Sequence, residues 1–390
     1  MKQRGARVGA PESHCGLQPE EGGMLEKIAV IGTGLMGGSL AMALTEARCA
    51  AEIGAYDSDL AARADAREMG VADKVYDSAA DAARGARVLF LATPISAMGD
   101  AVAECAPAME PGAVVSDLAS AKLGVIETIS GMLPPGVSYV GGHPMAGSEQ
   151  SGVRNASADM FRDRYYVLTP TDDTDPGALA TVHSLLTSIG ARVISMDPES
   201  HDRAMATVSH VPHLLSLLLM ELASREQERI KGTYKIAAGG FRDMTRIAAS
   251  NPGMWLDIIA ENRRFIVERL KDYSASVDWL VGVLEKGDDS ALRALLADAK
   301  AAREELLLKT GAEIVELFTV SMPVPDEPGV ISRITTAIGS LGINIEDISI
   351  AHPLEGDTGV LTLKVQGEDS TNEAAEHLES LGYRASRGKG

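Results

Sequence analysis

The chain has 390 residues, enough for two or three domains with cores of their own. A net charge of -19 speaks against a nucleic-acid backbone as partner. Its three cysteines, Cys15, Cys49 and Cys105, are too few and too scattered for a disulfide framework or a zinc site, which fits a cytoplasmic protein.

Residues 1–24 read as a disordered N-terminal extension, with no apolar stretch of the kind a secretory signal needs. Glu20-Glu21-Gly22-Gly23 directly precedes Met24, and its codons can spell a ribosome-binding site, so translation is expected to start at Met24. No run is expected to cross a membrane: the densest, Val211 to Met220, is broken by Pro212, His213 and Ser216 and reads as a buried helix. Short apolar runs at residues 27–31, 51–56, 88–92, 113–117 and 137–140 alternate with helical stretches. That pattern predicts a Rossmann-like, doubly wound parallel sheet over residues 25–198, extended by 165–168 and 192–195. Asp197-Pro198 and Asn251-Pro252 are helix starts, a capping side chain followed by proline at the first helical position. Residues 199–312 show only helical periodicity and form an all-helical substrate and dimerisation domain. Residues 313–390 read βαββα, a small ferredoxin-like α+β domain.

Gly32-Thr33-Gly34-Leu35-Met36-Gly37 lies between a strand and a helix. The first glycine makes the turn, the second lets backbone approach a pyrophosphate, and the third lets helix and strand pack. Asp57 follows at the end of the next strand, where an acid accepts ribose hydroxyls and repels a 2′-phosphate. The cofactor expected is therefore NAD.

Gly141-Gly142-His143-Pro144 is read as a strand ending in a glycine-rich turn that presents an exposed imidazole. In open α/β sheets ligands bind at that edge, and a histidine there suits proton abstraction. Ser120, in Ser120-Ala121-Lys122, is either a partner for the imidazole or nicotinamide, or a helix cap. Gly239-Gly240 precedes Arg242 and Arg246, four apart on one helical face. Either arginine can clamp a carboxylate or be spent on an ion pair with Asp243 or Glu261. His201, His210 and His213 fit no single-face metal set, and no metal is expected.

These clusters, with Ala92-Thr93-Pro94, Asp117 and the Gly142–Glu149 segment, resemble the prephenate dehydrogenase family over residues 25 to about 310. Val324-Pro325-Asp326-Glu327-Pro328-Gly329 and Gly342-Ile343-Asn344-Ile345 resemble an ACT domain, an amino-acid-sensing module. The resemblance implies His143 as the catalytic base, Ser120 as its orienting serine and Arg246 as the substrate-carboxylate anchor. It places His213, Gly239, Trp255 and Glu149 at the substrate, and Thr93 and Pro94 beside NAD with Gly32, Gly34, Leu35, Met36, Gly37 and Asp57. The implied reaction is NAD-dependent oxidative decarboxylation of prephenate to 4-hydroxyphenylpyruvate in tyrosine biosynthesis, by a homodimer. Arogenate is the alternative substrate, with Glu149 available to its ammonium, and a non-catalytic amino-acid-binding regulator is the remoter alternative. Tyrosine is the expected effector, held at Asp326, Pro328, Gly329, Asn344 and Ile345.

Overall fold

The computed structural model describes residues 25–147, 150–309, 317–325, 327–351 and 358–389. The N-terminal extension, Glu149 and Asp326 lie outside them. The chain begins β1 (Leu25–Ile31), α1 (Leu35–Glu46), β2 (Ala50–Tyr56), α2 (Leu60–Met69), β3 (Lys74–Val75), α3 (Ala79–Ala83), β4 (Val88–Leu91) and α4 (Ile95–Cys105). It continues β5 (Val114–Asp117), α5 (Leu123–Ser130), β6 (Ser138–Pro144), β7 (Tyr165–Thr169), α6 (Pro176–Ser188) and β8 (Arg192–Ser195). One sheet holds them in the order β3-β2-β1-β4-β5-β6-β7-β8. Successive residues of β1 face opposite sides. Ile28 and Val30 join a core with Leu40, Phe90 and Tyr166. Ala29 and Ile31 join another with Leu89, Leu91 and Met98. Both faces are buried, which is why these strands read as continuous apolar runs.

The sheet is not parallel throughout. β6 runs parallel to β5 but antiparallel to β7, with His143 opposite Val167, and β8 is parallel to β7. Gly141 and Gly142 are not in a turn, as expected, but inside β6. A Cβ on Gly142 would lie 2.6 Å from the Asp117 carbonyl oxygen and 2.9 Å from Tyr166 Cε1, and one on Gly141 would lie 2.4 Å from Thr169 Oγ1. The glycines let strands and side chains approach; they do not bend the chain.

Helices follow: α7 (Pro198–Met205), a π-helical turn at Ala206–His210, α8 (Val211–Arg229), α9 (Gly239–Thr245), α10 (Pro252–Glu261), α11 (Arg263–Lys286) and α12 (Asp289–Lys309). Asp197 caps α7 through the Ser200 amide at 2.9 Å, and Asn251 caps α10 through the Gly253 amide at 2.9 Å. The helical stretch Pro198–Arg229 is long and, over part of its length, apolar enough to cross a membrane by length and composition alone, which the sequence reading did not expect. Nor is α8 a buried helix within the chain: only Val211, His213 and Ser216 are buried, and Leu218 and Leu222 are exposed.

Packing divides the chain into two compact units, up to Val277 and from Asp278, a boundary inside α11. In the second unit β9 (Leu317–Pro325), α13 (Val330–Ser340), β10 (Ile345–Ala351), β11 (Thr358–Gln366), α14 (Glu368–Ser380) and β12 (Ser386–Lys389) form an antiparallel sheet, order β10-β11-β9-β12. Val320 and Leu363 of the sheet pack with Ile334 of α13 and Leu378 of α14, so this unit carries its own core. The βαββα reading lacked β12.

Gly142→Ala should lower stability by about 1–3 kcal/mol, the usual range for overpacking. Urea unfolding that gives an unchanged midpoint would remove the close approach of β5 and β6 as its reason.

Candidate active site

The glycine-rich turn follows β1. Gly32 has φ +97°, and a Cβ there would sit 2.6 Å from the Ala92 carbonyl oxygen. A Cβ on Gly37 would collide with the Gly32 carbonyl oxygen at 1.9 Å, so this glycine closes helix onto strand. A Cβ on Gly34 meets nothing within 4 Å. The open space lies at the start of α1, which also includes Leu35 and Met36 and has no side-chain cap on its first amides. Helix amides directed at open space suit a pyrophosphate. Asp57 Oδ2 accepts the Thr33 amide at 2.7 Å and Oδ1 the Asp59 amide at 2.9 Å, which fixes the carboxylate beside the turn. Thr93 borders Gly32, and its buried Oγ1 has no partner; Pro94 then opens α4. The arrangement fits a dinucleotide whose ribose meets Asp57.

His143 is 7% exposed, not the open imidazole expected from sequence. Its placement comes from a buried ion pair on β5 and the segment after it. Lys122 and Asp117 are fully buried and paired. Asp117 also accepts from the Ala119 amide at 2.7 Å, the Gly142 amide at 3.2 Å and the Tyr139 hydroxyl. Lys122 Nζ donates to the Gly142 carbonyl at 2.6 Å. Burial draws the Lys122 pKa down against the opposing pull of Asp117, and burial together with Asp117 holds Tyr139 well above the usual phenol range, as a donor.

The His143 ring meets His201: Nδ1 lies 2.9 Å from His201 Nε2. His201 Nδ1 lies 2.8 Å from Asp202 Oδ1. No hydrogen bond joins His143 to Ser120, which is half-buried in the bend after β5. Nor does Ser120 cap α5: the amides of Lys122 and Leu123 donate to Asp202 instead, at 2.8 and 2.9 Å. Burial, then the neighbouring His201 and Lys122, put the His143 pKa well below 6.5, so the ring is neutral at physiological pH. A neutral imidazole is competent as a base. Among the described residues its Nε2 makes no hydrogen bond.

The network continues into the helical region. Asn262 Nδ2 donates to the Asp202 carbonyl at 2.7 Å and to His210 Nδ1 at 3.0 Å. His210 lies edge-on to Trp255, and His213 stacks on Trp255 with centroids 3.5 Å apart. His210 Nε2, His213 Nδ1 and Trp255 Nε1 are buried without partners, an arrangement that suits a polar ligand. Burial pushes the His210 pKa down to about 4. The expected pocket residues His213 and Trp255 are thus joined to His143 through groups that sequence reasoning did not assign a role: Asp202, Asn262, His201 and His210. Gly239 opens α9, and the helix ends at Thr245, so Arg246 begins a 3₁₀ turn and is exposed. Ser96 Oγ donates to Asp257 at 2.6 Å, tying α4 to α10 beside Pro94. Gly147 brings the segment after His143 to the nucleotide turn: a Cβ there would sit 3.7 Å from Met36 Sδ. In the second unit, Gly329 (φ +87°) precedes α13 and Pro328 precedes it in turn. Asn344 donates to Glu346 at 2.7 Å, and Ile345 opens β10.

Comparison with known proteins gives three family matches. Residues 40–195 match the prephenate dehydrogenase nucleotide-binding domain, 197–298 its dimerization domain and 318–383 the ACT domain. Prephenate dehydrogenase of Bacillus subtilis is 32% identical over 92% of this chain and 96% of its own length. The structure of prephenate dehydrogenase from A. aeolicus, in complex with hydroxyphenyl propionate and NAD+, superposes with a TM-score of 0.68. It is 28% identical and covers 74% of this chain and 100% of its own. Synechocystis arogenate dehydrogenase is 30% identical at a TM-score of 0.64, covering 72% of this chain and 99% of its own.

Gly34→Val should leave the melting temperature nearly unchanged, because its side chain enters open space, yet weaken NAD binding at least about tenfold (≥ ~1.4 kcal/mol). A fluorescence titration showing wild-type affinity would take the cofactor away from this turn.

Proposed function

Since this chain belongs to the prephenate dehydrogenase family, we propose that it oxidatively decarboxylates prephenate to 4-hydroxyphenylpyruvate with NAD. The observation that carries the reading is a buried, neutral His143 in the same unit as a glycine turn and acid that fit a dinucleotide. Bound NAD supplies the hydride acceptor. Gly34, the α1 amides and Asp57 hold it, with Thr93 and Pro94 alongside. His143 takes the proton of the ring hydroxyl at Nε2; Ser120, which the resemblance makes its orienting serine, makes no hydrogen bond to it in the free chain. Arg246 anchors a substrate carboxylate, while His213, Trp255 and the Gly239 backbone line the pocket. Loss of the ring carboxylate as CO2 is driven by aromatisation and asks little of the protein.

Arogenate is the second reading, supported by the likeness to the Synechocystis enzyme. Glu149 is the residue we assign to the choice between a keto and an ammonium group. A homodimer is proposed from the dimerization-domain match and the exposed Leu218 and Leu222 of α8. Tyrosine is the proposed effector, on the strength of the ACT match, with Asp326, Pro328, Gly329, Asn344 and Ile345 as its contacts. A cytoplasmic location goes with this biosynthetic role. NADH formation from prephenate and arogenate side by side, each with and without tyrosine, tests the substrate and the effector together. Absence of turnover with both substrates would refute the activity, and curves that tyrosine leaves unmoved would refute the effector.

His143→Asn should lower kcat by at least about a hundredfold with little change in KM, as loss of a general base does. Arg246→Ala should act mainly on KM. The base form of His143 exists above its lowered pKa, so in the wild type kcat/KM should stay flat from neutrality down through pH 6.5 and fall only in more acidic buffer. An acid limb centred at 6.5 or higher would contradict a buried, neutral base.

A further inference from the structure

Which nitrogen of His143 carries the lone pair depends on a chain of contacts outside the ring. Asp202 is buried, and both of its oxygens accept backbone N–H groups at the start of α5, from Lys122 at 2.8 Å and Leu123 at 2.9 Å. A carboxylate held as an acceptor in this way leaves His201 Nδ1, 2.8 Å from Oδ1, to be the donor. Taken as neutral, His201 has its unprotonated nitrogen at Nε2. It faces His143 Nδ1 at 2.9 Å, a contact that needs one proton, and His143 supplies it. His143 Nε2 is left with the lone pair. Both imidazoles are buried and cross edge to face at 69°, so neither ring can flip without breaking the chain.

Among the described residues, the other charged and titratable groups around the pair are few. Lys122, with its partner Asp117, approaches from the β5–α5 segment and opposes a positive His143. His210 approaches from the π-helical turn and also opposes it. Glu261 of α10 lies near enough to feel Asp202, and Asn262 is bonded to the Asp202 carbonyl and to His210. Asp202 is the negative group at the far end of the chain, reached through His201.

We propose that Asp202 and His201 are positioning residues that fix His143 as its Nδ1–H tautomer, so that Nε2 is the proton acceptor toward the substrate. The inference rests on the reading of His143 as the base. When Nε2 takes the substrate's proton, the His143 imidazolium keeps its Nδ1–H on His201, and the positive charge faces Asp202 through that neutral ring. The carboxylate holds the start of α5 at the same time, so base orientation and helix placement share one side chain.

Ring tautomers can be read without turnover. Full-length protein labelled with 15N-histidine, studied by long-range 1H–15N correlation and assigned with His143→Asn and His201→Leu, should show His143 with a protonated Nδ1 and a bare Nε2. In Asp202→Asn the new amide N–H can point at His201 Nδ1, which reverses both rings. We expect that reversal in the spectrum and a fall in kcat of at least about a hundredfold, with KM within about threefold. A melting curve accompanies each variant. Should Asp202→Asn fail to fold, the His201 pair carries the test. His201→Gln offers an amide oxygen near the Nε2 position and should keep kcat within about tenfold of wild type; His201→Leu removes the acceptor and should lose about a hundredfold. A wild-type His143 protonated at Nε2 overturns the proposal while leaving the base assignment standing. So does equal loss in the Gln and Leu variants. Near-normal turnover of His143→Asn overturns the base assignment and, with it, the purpose of the chain.

Discussion

The buried pair Lys122–Asp117 is the constraint on which the candidate site depends. Removing two charges from water costs several kcal/mol per ion, and such a pair is weak as a source of stability. Its value here is positional. Asp117 accepts the Gly142 amide while Lys122 donates to the Gly142 carbonyl, so both polar groups of the residue before His143 are held by one ion pair. β6 meets β5 by ladder bonds only as far as Val140; beyond that point side chains take over the pairing. A methyl group on Gly142 has no room, because the Asp117 backbone occupies its place. The base is thus located by charge, by a missing side chain and by a strand that changes partners.

A second carboxylate, Asp202, joins this part of the sheet to the helices. It holds the first amides of α5, its backbone carbonyl takes Asn262, and its side chain takes His201. From there the contacts run through His210 to Trp255 and His213. Electrostatic preorganisation of this kind places groups before the substrate arrives and leaves little to rearrange during the reaction. The nucleotide half and the first helices therefore share a single compact unit, and α4 is fastened to α10 by Ser96 and Asp257.

Features governed by local physics were legible in the sequence. The glycine turn, Asp57, the buried parallel strands and the caps Asp197 and Asn251 each depend on a few adjacent residues, and the structure places them as read. Features governed by distant partners were not. Gly141-Gly142 looked like a turn because glycine permits turns, whereas here it permits contact with Thr169 and Asp117. His143 looked exposed because nothing nearby in sequence announces His201, 58 residues on. The direction of β7 is set by register with β6, which no single strand encodes. Two-residue β3 and edge strand β12 are too short or too polar to give an apolar period. α8 carries the composition of a core helix, yet much of its apolar face stays uncovered in the single chain. The dipeptide His201-Asp202, one turn into a capped helix, was the available signal for the missed network.

The reversal of direction between β6 and β7 has a topological consequence. A parallel successor to β6 would oblige the chain to travel back along the whole sheet before re-entering it. Because β7 runs the other way, it starts at the edge where β6 stops, so the chain re-enters the sheet at the edge it left. That excursion begins one residue beyond Pro144 and passes Met36 at Gly147. The return path is itself fastened to the nucleotide half, with Val153 and Phe161 buried and the Ser157 amide on Ser39 Oγ, so a change of side chain at those anchors reaches α1 and, through it, the cofactor turn.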